Sequence, residues 1–141
     1  MTRKFKIAII GLLPLLVYCC FLCLEYYNKP PRDTATIETD VKISSDKLAK
    51  SFSANEIKAN TDFVEKTIEV VGSIKKITNV NNRYTVLLQG QNDASHVICD
   101  VLPSSMEKVK ELKRGQTVRL KGICKGYLLD VIMLNCILIN G

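Results

Sequence analysis

Cys99, Cys124, Cys136 and His96 are the residues best equipped for chemistry, because thiolate and imidazole serve both as zinc ligands and as nucleophile and base. Their spacing argues against a metal. His96 and Cys99 are three apart in a segment that alternates like a strand, so their side chains point to opposite faces. Cys124 and Cys136, with eleven residues between them, lie in two alternating segments and are expected to face each other on paired strands. A disulfide between them would stabilise the domain by about 2–3 kcal/mol. Cys99 could compete for either partner, and buried reduced thiols behaving as small hydrophobes are the alternative.

Catalysis lacks its parts. His96 is the only histidine, no serine sits in a nucleophile-elbow context, and no two carboxylates share a strand face. Serine followed three later by lysine occurs at Ser44 and Lys47, Ser73 and Lys76, and Ser105 and Lys108, as chance allows in a chain rich in both. No enzyme activity, metal or cofactor is expected.

Binding is the remaining class. The candidate ligand-binding residues are Lys75, Lys76, Arg83, Thr85, His96 and Tyr127, on outward strand positions or in the last loop. As a single-stranded nucleic-acid surface they offer few stacking groups, with Tyr84 of inward parity and Asp100 where a phosphate would come. Lys108, Lys110, Lys113 and Arg114 read as a solvated helix end favoured by the helix dipole.

The elements that must carry these residues follow from periodicity. Ser44 or Ser45 can start a short helix to about Phe52. Ser53 and Glu56 have the spacing of a capping box for a second. From Thr67 the period is two, with Ile68, Val70, Gly72 and Ile74 on one face of a strand of about ten residues. Asn79–Asn82 is a turn, Arg83–Gln89 a second strand, and Ser95–Leu102 a third. A helix follows from Pro103 and stops at Gly115. Gln116 to about Cys124 and Asp130–Ile139 make the last two strands. Three strands, one helix and two strands is the order of the five-stranded Greek-key OB-fold barrel, a mainly β fold with short helices. In that barrel the fifth strand lies between the third and fourth.

Ahead of the barrel, Ile7–Leu24 contains no charge and follows Arg3, Lys4 and Lys6. Eighteen helical residues span about 27 Å, close to the hydrocarbon thickness of a bilayer. No small-x-small exit follows, and Cys19, Cys20 and Cys23 lack the small preceding residue of a lipoprotein signal. The expected organisation is a basic cytoplasmic start at 1–6, a transmembrane anchor at 7–24, a stalk at 25–43, a short helical segment at 44–63 and the barrel domain at 64–141. The basic flank places the domain outside the cytoplasm, on a single-pass protein of the cell membrane. A lipoprotein is the alternative, with the domain on the same side. Of the net charge of +6, the N-terminal Arg3, Lys4 and Lys6 supply half, so the domain permits an acidic partner without requiring one.

The chain resembles the tRNA-anti-like family of small bacterial OB-fold proteins, usually membrane-anchored or lipoprotein-like. The resemblance rests on Asn55-Glu56 with Ala59 and Phe63, Lys66 to Ile74, Val97-Ile98-Cys99, Lys113 to Val118, Lys121 to Gly126, Asp130-Val131 and Asn135-Cys136. It implies the fold, and no catalytic or binding residue transfers with it. The reading is an extracytoplasmic binding module for a protein, peptide or envelope polymer, with single-stranded nucleic acid as the alternative partner.

Overall fold

The computed structural model describes residues 3–28 and 33–139, the side chains of 3–11 and 91 excepted. The chain forms two compact units, Met1–Pro31 and Arg32–Gly141.

The first unit is helix α1 (Arg3–Tyr27), with Pro14 inside it. Leu12, Leu13, Leu15, Leu16, Val17, Phe21 and Leu24 are all exposed, so apolar side chains point to every side of the helix. Part of the expected anchor, residues 7–11, lies outside the described side chains. Among the described residues no helix is long and apolar enough to cross a membrane.

The second unit contains β1 (Val41–Ser44), α2 (Ser45–Ala54), α3 (Glu56–Phe63), β2 (Thr67–Val80), β3 (Arg83–Leu88), β4 (Val97–Val101), α4 (Met106–Lys110), β5 (Thr117–Leu128) and β6 (Asp130–Ile139). The strands run in the order β2-β3-β4-β6-β5, and β5 pairs back onto β2 to close a five-stranded barrel. The last strand does lie between the third and fourth strands of the barrel. Its pairing with β4 is parallel and the other barrel pairings are antiparallel. This is the OB-fold expected from the element order.

Strand β2 serves both halves of the barrel, pairing with β5 over Thr67–Ser73 and with β3 over Ile74–Val80, with a bulge between Ile74 and Lys76. A bulge lets a single strand bend that far. Gly72 sits at the bend for a steric reason: a Cβ there would lie 2.2 Å from Ser45 Oγ, where α2 begins. The strand is fourteen residues long, not ten. Asn81 and Asn82 both take positive φ, which builds a tight two-residue hairpin and draws Asn79 and Val80 into the ladder.

Alternate residues fill the interior. Ile68, Val70, Ile74, Val86, Leu88, Val97, Cys99, Val101, Leu120, Val131 and Met133 are buried in one core with Leu48 and Phe52 of α2 and Val109 of α4. The Phe52 ring stacks on Tyr127 at 5.6 Å and packs against Phe63 at 5.9 Å. The cap of α3 differs from expectation. Asn55 is the capping residue, accepting from Lys58 N at 3.0 Å, whereas α2 runs on through Ser53, whose hydroxyl donates to Lys50 O. A serine inside a helix back-bonds in this way and cannot cap the next one.

The segment expected as a free stalk lies against the barrel from its second half. Buried Thr34 donates through Oγ1 to Asn135 O at 2.7 Å, and Lys121 Nζ donates to Ile37 O. Asp40 exchanges two bonds with Thr67, N–H to Thr67 O at 2.9 Å and Oδ2 from Thr67 N at 2.8 Å. Val41–Ser44 then adds to β2 as a parallel strand. Ile123, opposite Thr67 on β2, is buried although it lies outside the main core. Over residues 33–40 the attachment runs through backbone atoms and single polar side chains, which leave no apolar period in the sequence, whereas Val41 and Ile43 of β1 pack against the core.

Candidate functional site

The strap is tied to β6, β5 and β2 at Asn135, Lys121 and Thr67, and β1 extends the sheet beside β2. There Glu69 is sunk between Lys42 at 3.8 Å and Arg119 at 3.4 Å. The outside of β3 and β4, with the part of β6 beside β4, is different. There the register aligns Lys76, Leu87, Ile98 and Ile132 in one row across four strands. The three apolar members are half-buried on the outer face. The next row is Thr78, Thr85 and Asp100.

At one edge of this face a polar network holds the connection between β3 and β4. Lys75 Nζ donates to Asp93 Oδ1 at 2.8 Å and lies 2.7 Å from His96 Nε2. Asp130 Oδ1 accepts from His96 N at 2.7 Å and lies 3.2 Å from Nδ1. With Nδ1–H donating to Asp130, Nε2 is left as an acceptor for the lysine, so every polar group of the imidazole is used. Gln89 Nε2 also donates to Asp93, at 2.6 Å. The hydrogen bond from Lys75, then that from Gln89, holds the Asp93 carboxyl below the usual carboxylate range. The positive φ values of Asn92 and Asp93 show why short polar residues are used in this connection.

An aspartate, a histidine and a lysine in line resemble the positioning half of a catalytic relay, but the third member is an ammonium donor rather than a nucleophile. The neighbouring Ser95 hydroxyl is buried and has no hydrogen-bond partner among the described residues. The cluster fixes a loop at the face.

The six candidate binding residues divide accordingly. Lys75 and His96 belong to the network, and the His96 side chain is only 12% exposed, at the rim as its parity suggested. Arg83 is exposed but paired with Asp100, which neutralises it. Thr85 is half-buried in the second row. Tyr127 lies within β5 and not, as expected, in the loop after it, and its half-buried ring is stacked flat on Phe52 with an interplanar angle of 14°. Lys76 remains exposed and has no ion pair among the described residues.

Beside Lys76 a shallow depression of ≈ 400 Å³ is lined by Lys75, Lys76, Ile77, Leu87 and Arg114. Its floor is aliphatic and its free charges are cationic. Arg114 was legible only as a helix end, since its place beside Lys76 depends on the fold. Leu87 and Ile98 did carry a signal, whereas alternation from Cys136 puts Ile132 on the inward side, which the extra residue of β6 between Leu134 and Ile137 reverses. In the segment Val97-Ile98-Cys99 the outward position is filled by isoleucine where alternation calls for a polar residue.

The cysteines pair differently from expectation. Cys99, Cys124 and Cys136 are buried free thiols. Cys124 stands opposite Met133, while the Cys136 thiol contacts that of Cys99. Two register shifts, between Lys121 and Ile123 and between Cys124 and Gly126, move Cys124 from Leu134 to Met133, while Cys136 lies beside Gly122. Burial pushes both the Cys124 and the Cys136 thiols above their ordinary value, with the neighbouring Cys99 adding to the shift at Cys136.

One solved structure shares the fold, and two others align more weakly. A lipoprotein of Klebsiella pneumoniae subsp. pneumoniae MGH 78578, provisionally described as nucleic acid-binding, aligns with TM-score 0.57 at 18% identity, over 79% of this chain and 100% of that one. An OBody bound to hen egg-white lysozyme aligns at TM-score 0.44 and 16% identity, over 56% of this chain and 86% of that one. The S. pombe Stn1–Ten1 complex gives TM-score 0.43 and 12% identity, over 53% and 59%. No curated protein matches the sequence. The family model described as tRNA_anti-like matches residues 1–138, from the first helix through the last barrel strand, and the chain belongs to that family.

Proposed function

We propose that the chain is a membrane-anchored, extracytoplasmic OB-fold binding module that takes a protein or peptide ligand on the outer face of β3, β4 and β6. The observation that carries this reading is the row Lys76, Leu87, Ile98 and Ile132, half-exposed on the outside of the barrel. An aliphatic row flanked by Lys76 and Arg114 suits an extended peptide with aliphatic and acidic side chains, because the apolar groups bury area while the cations select sign. Stacking on bases calls for exposed aromatic rings, and Tyr127 is engaged in the core. Anchoring is supported by the apolar surface of α1 behind Arg3, Lys4 and Lys6. A lipid-modified form is the alternative anchor, in keeping with the description of the Klebsiella neighbour. We assign the module no catalysis.

Single-stranded nucleic acid is the second reading, favoured by that neighbour's description and by the 11 basic against 6 acidic groups of residues 66–141. Fluorescence anisotropy of residues 33–141 with a labelled peptide of repeat Leu-Ser-Glu-Ser, which sets Leu and Glu in turn on one side of an extended strand, and with an oligothymidylate separates the two. The peptide is expected to bind, and Lys76→Glu with Arg114→Glu to weaken it about tenfold or more. Binding of the oligonucleotide instead, with an affinity falling steeply with salt, would overturn the peptide reading.

A further inference from the structure

The tip of the β5–β6 hairpin exposes two leucines that neither the core nor the turn requires. Leu128 is 76% and Leu129 79% exposed. Leu129 also has φ 65°, in the left-handed region where a leucine is strained and Gly, Asn or Asp is the usual occupant. The tip is held firmly from below. Leu128 pairs with Asp130 across it, Tyr127 is stacked on Phe52, and Asp130 is bonded to His96. A rigid turn that keeps two large apolar side chains in water, at a backbone cost, has the form of an insertion wedge.

We propose that Leu128 and Leu129 dip into the lipid surface to which the chain is anchored, so that the domain lies on the membrane rather than hanging free of it. The occupant follows from chain length, resting on the anchored reading above. From Tyr27 at the end of α1 to Asp33 the backbone reaches at most about 20 Å. Thr34 is tied to Asn135 on β6, and Leu129 is only about 20 Å further along that strand. Whatever surface covers the apolar side chains of α1 is therefore within reach of the tip. Charge adds little. The helix carrying Phe52 and the helix after it expose Lys47, Lys50 and Lys58, balanced by Asp46, Glu56 and Asp62, so insertion is apolar and insensitive to salt and headgroup charge.

The chain has no tryptophan, which makes a site-specific depth probe simple. Full-length Leu129→Trp, Leu128→Trp and Leu15→Trp are reconstituted into phosphatidylcholine vesicles with and without brominated acyl chains. Leu128→Trp covers the case in which tryptophan is not tolerated at the left-handed position. Quenching by bromine at both tip positions, unchanged by salt and by added phosphatidylserine, is the expected result. Quenching at Leu15→Trp alone overturns the proposal while leaving the anchor intact. Absence of quenching at Leu15→Trp removes the anchor, and the tip probes then still decide for or against insertion on their own. Blue-shifted tip emission without bromine quenching means that protein covers the leucines, and it too overturns the proposal.

Discussion

Replacing Gly122 by alanine tests how tightly β5 and β6 close against each other. On the backbone as it stands the new Cβ would lie 2.5 Å from Cys136 Sγ and 3.0 Å from Leu134 O. Neither neighbour is the free end of a flexible side chain, since Cys136 is fully buried and Leu134 O belongs to a strand. Forcing a methyl group into such a site costs about 1–3 kcal/mol. Stiffening the unfolded chain returns about 0.4–1 kcal/mol. The net expectation for Gly122→Ala is a loss of about 1–2 kcal/mol, read from urea unfolding of residues 33–141 by circular dichroism. Cys136→Ala removes the obstructing sulfur and alone loses about 1 kcal/mol, as for one buried methylene. If the sulfur is what resists the methyl group, the double variant loses less than the two singles together, by about 1 kcal/mol or more. Additivity within about 0.5 kcal/mol, or an unchanged midpoint for Gly122→Ala, would refute the reasoning.

Two further outcomes follow from the strap and the thiols. Lys121→Met removes the charged donor to Ile37 O, a bond worth about 1.5–3 kcal/mol. It should lower the urea midpoint and open residues 33–40 to limited proteolysis, and an unchanged cleavage pattern would show that the strap is held elsewhere. Cys124 and Cys136 are buried with their thiols pushed up, so iodoacetamide at neutral pH should leave both unmodified in folded residues 33–141 and modify them once urea unfolds the chain. Rapid alkylation of the folded protein at either position would contradict the packing.

The barrel was legible because its signals are local. Alternation in Thr67–Ile74, the Asn81-Asn82 turn and the apolar runs of the last two strands each specify an element by themselves, and their order leaves few topologies. What failed depended on distant partners. Alternation carried through to Cys136 predicts a cysteine pair, but β6 gains a residue between Leu134 and Ile137 and β5 gains one between Cys124 and Gly126, which leaves Cys124 against Met133. Residues 33–40 read as a stalk because a chain docked through backbone bonds to Thr67 and Asn135 needs no pattern of its own. Tyr127 read as a loop residue because its partner, Phe52, is far away in sequence. The site shares this weakness. Lys75, Lys76 and His96 were visible as polar residues near a rim, whereas the depression exists only because Arg114 comes to lie beside Lys76.

The partition of charge narrows where a partner can dock. Lys42, Lys75, Arg83, Lys110, Arg119 and Lys125 each face a carboxylate within 4.0 Å, so their charges are largely spent inside the fold. Lys47, Lys50, Lys58, Lys66, Lys76, Lys108, Lys113 and Arg114 have no such partner among the described residues. Of these, Lys76 and Arg114 lie together at the depression beside the row of outward aliphatic residues. The same residues therefore supply both requirements of a selective protein-binding surface, area to bury and a charge to discriminate partners. A ligand lacking acidic groups would leave both cations facing apolar surface, and one lacking aliphatic groups would leave Leu87 and Ile98 in water. Only a segment that alternates the two satisfies the face, and an extended strand presents that alternation on one side when its residues repeat with period four.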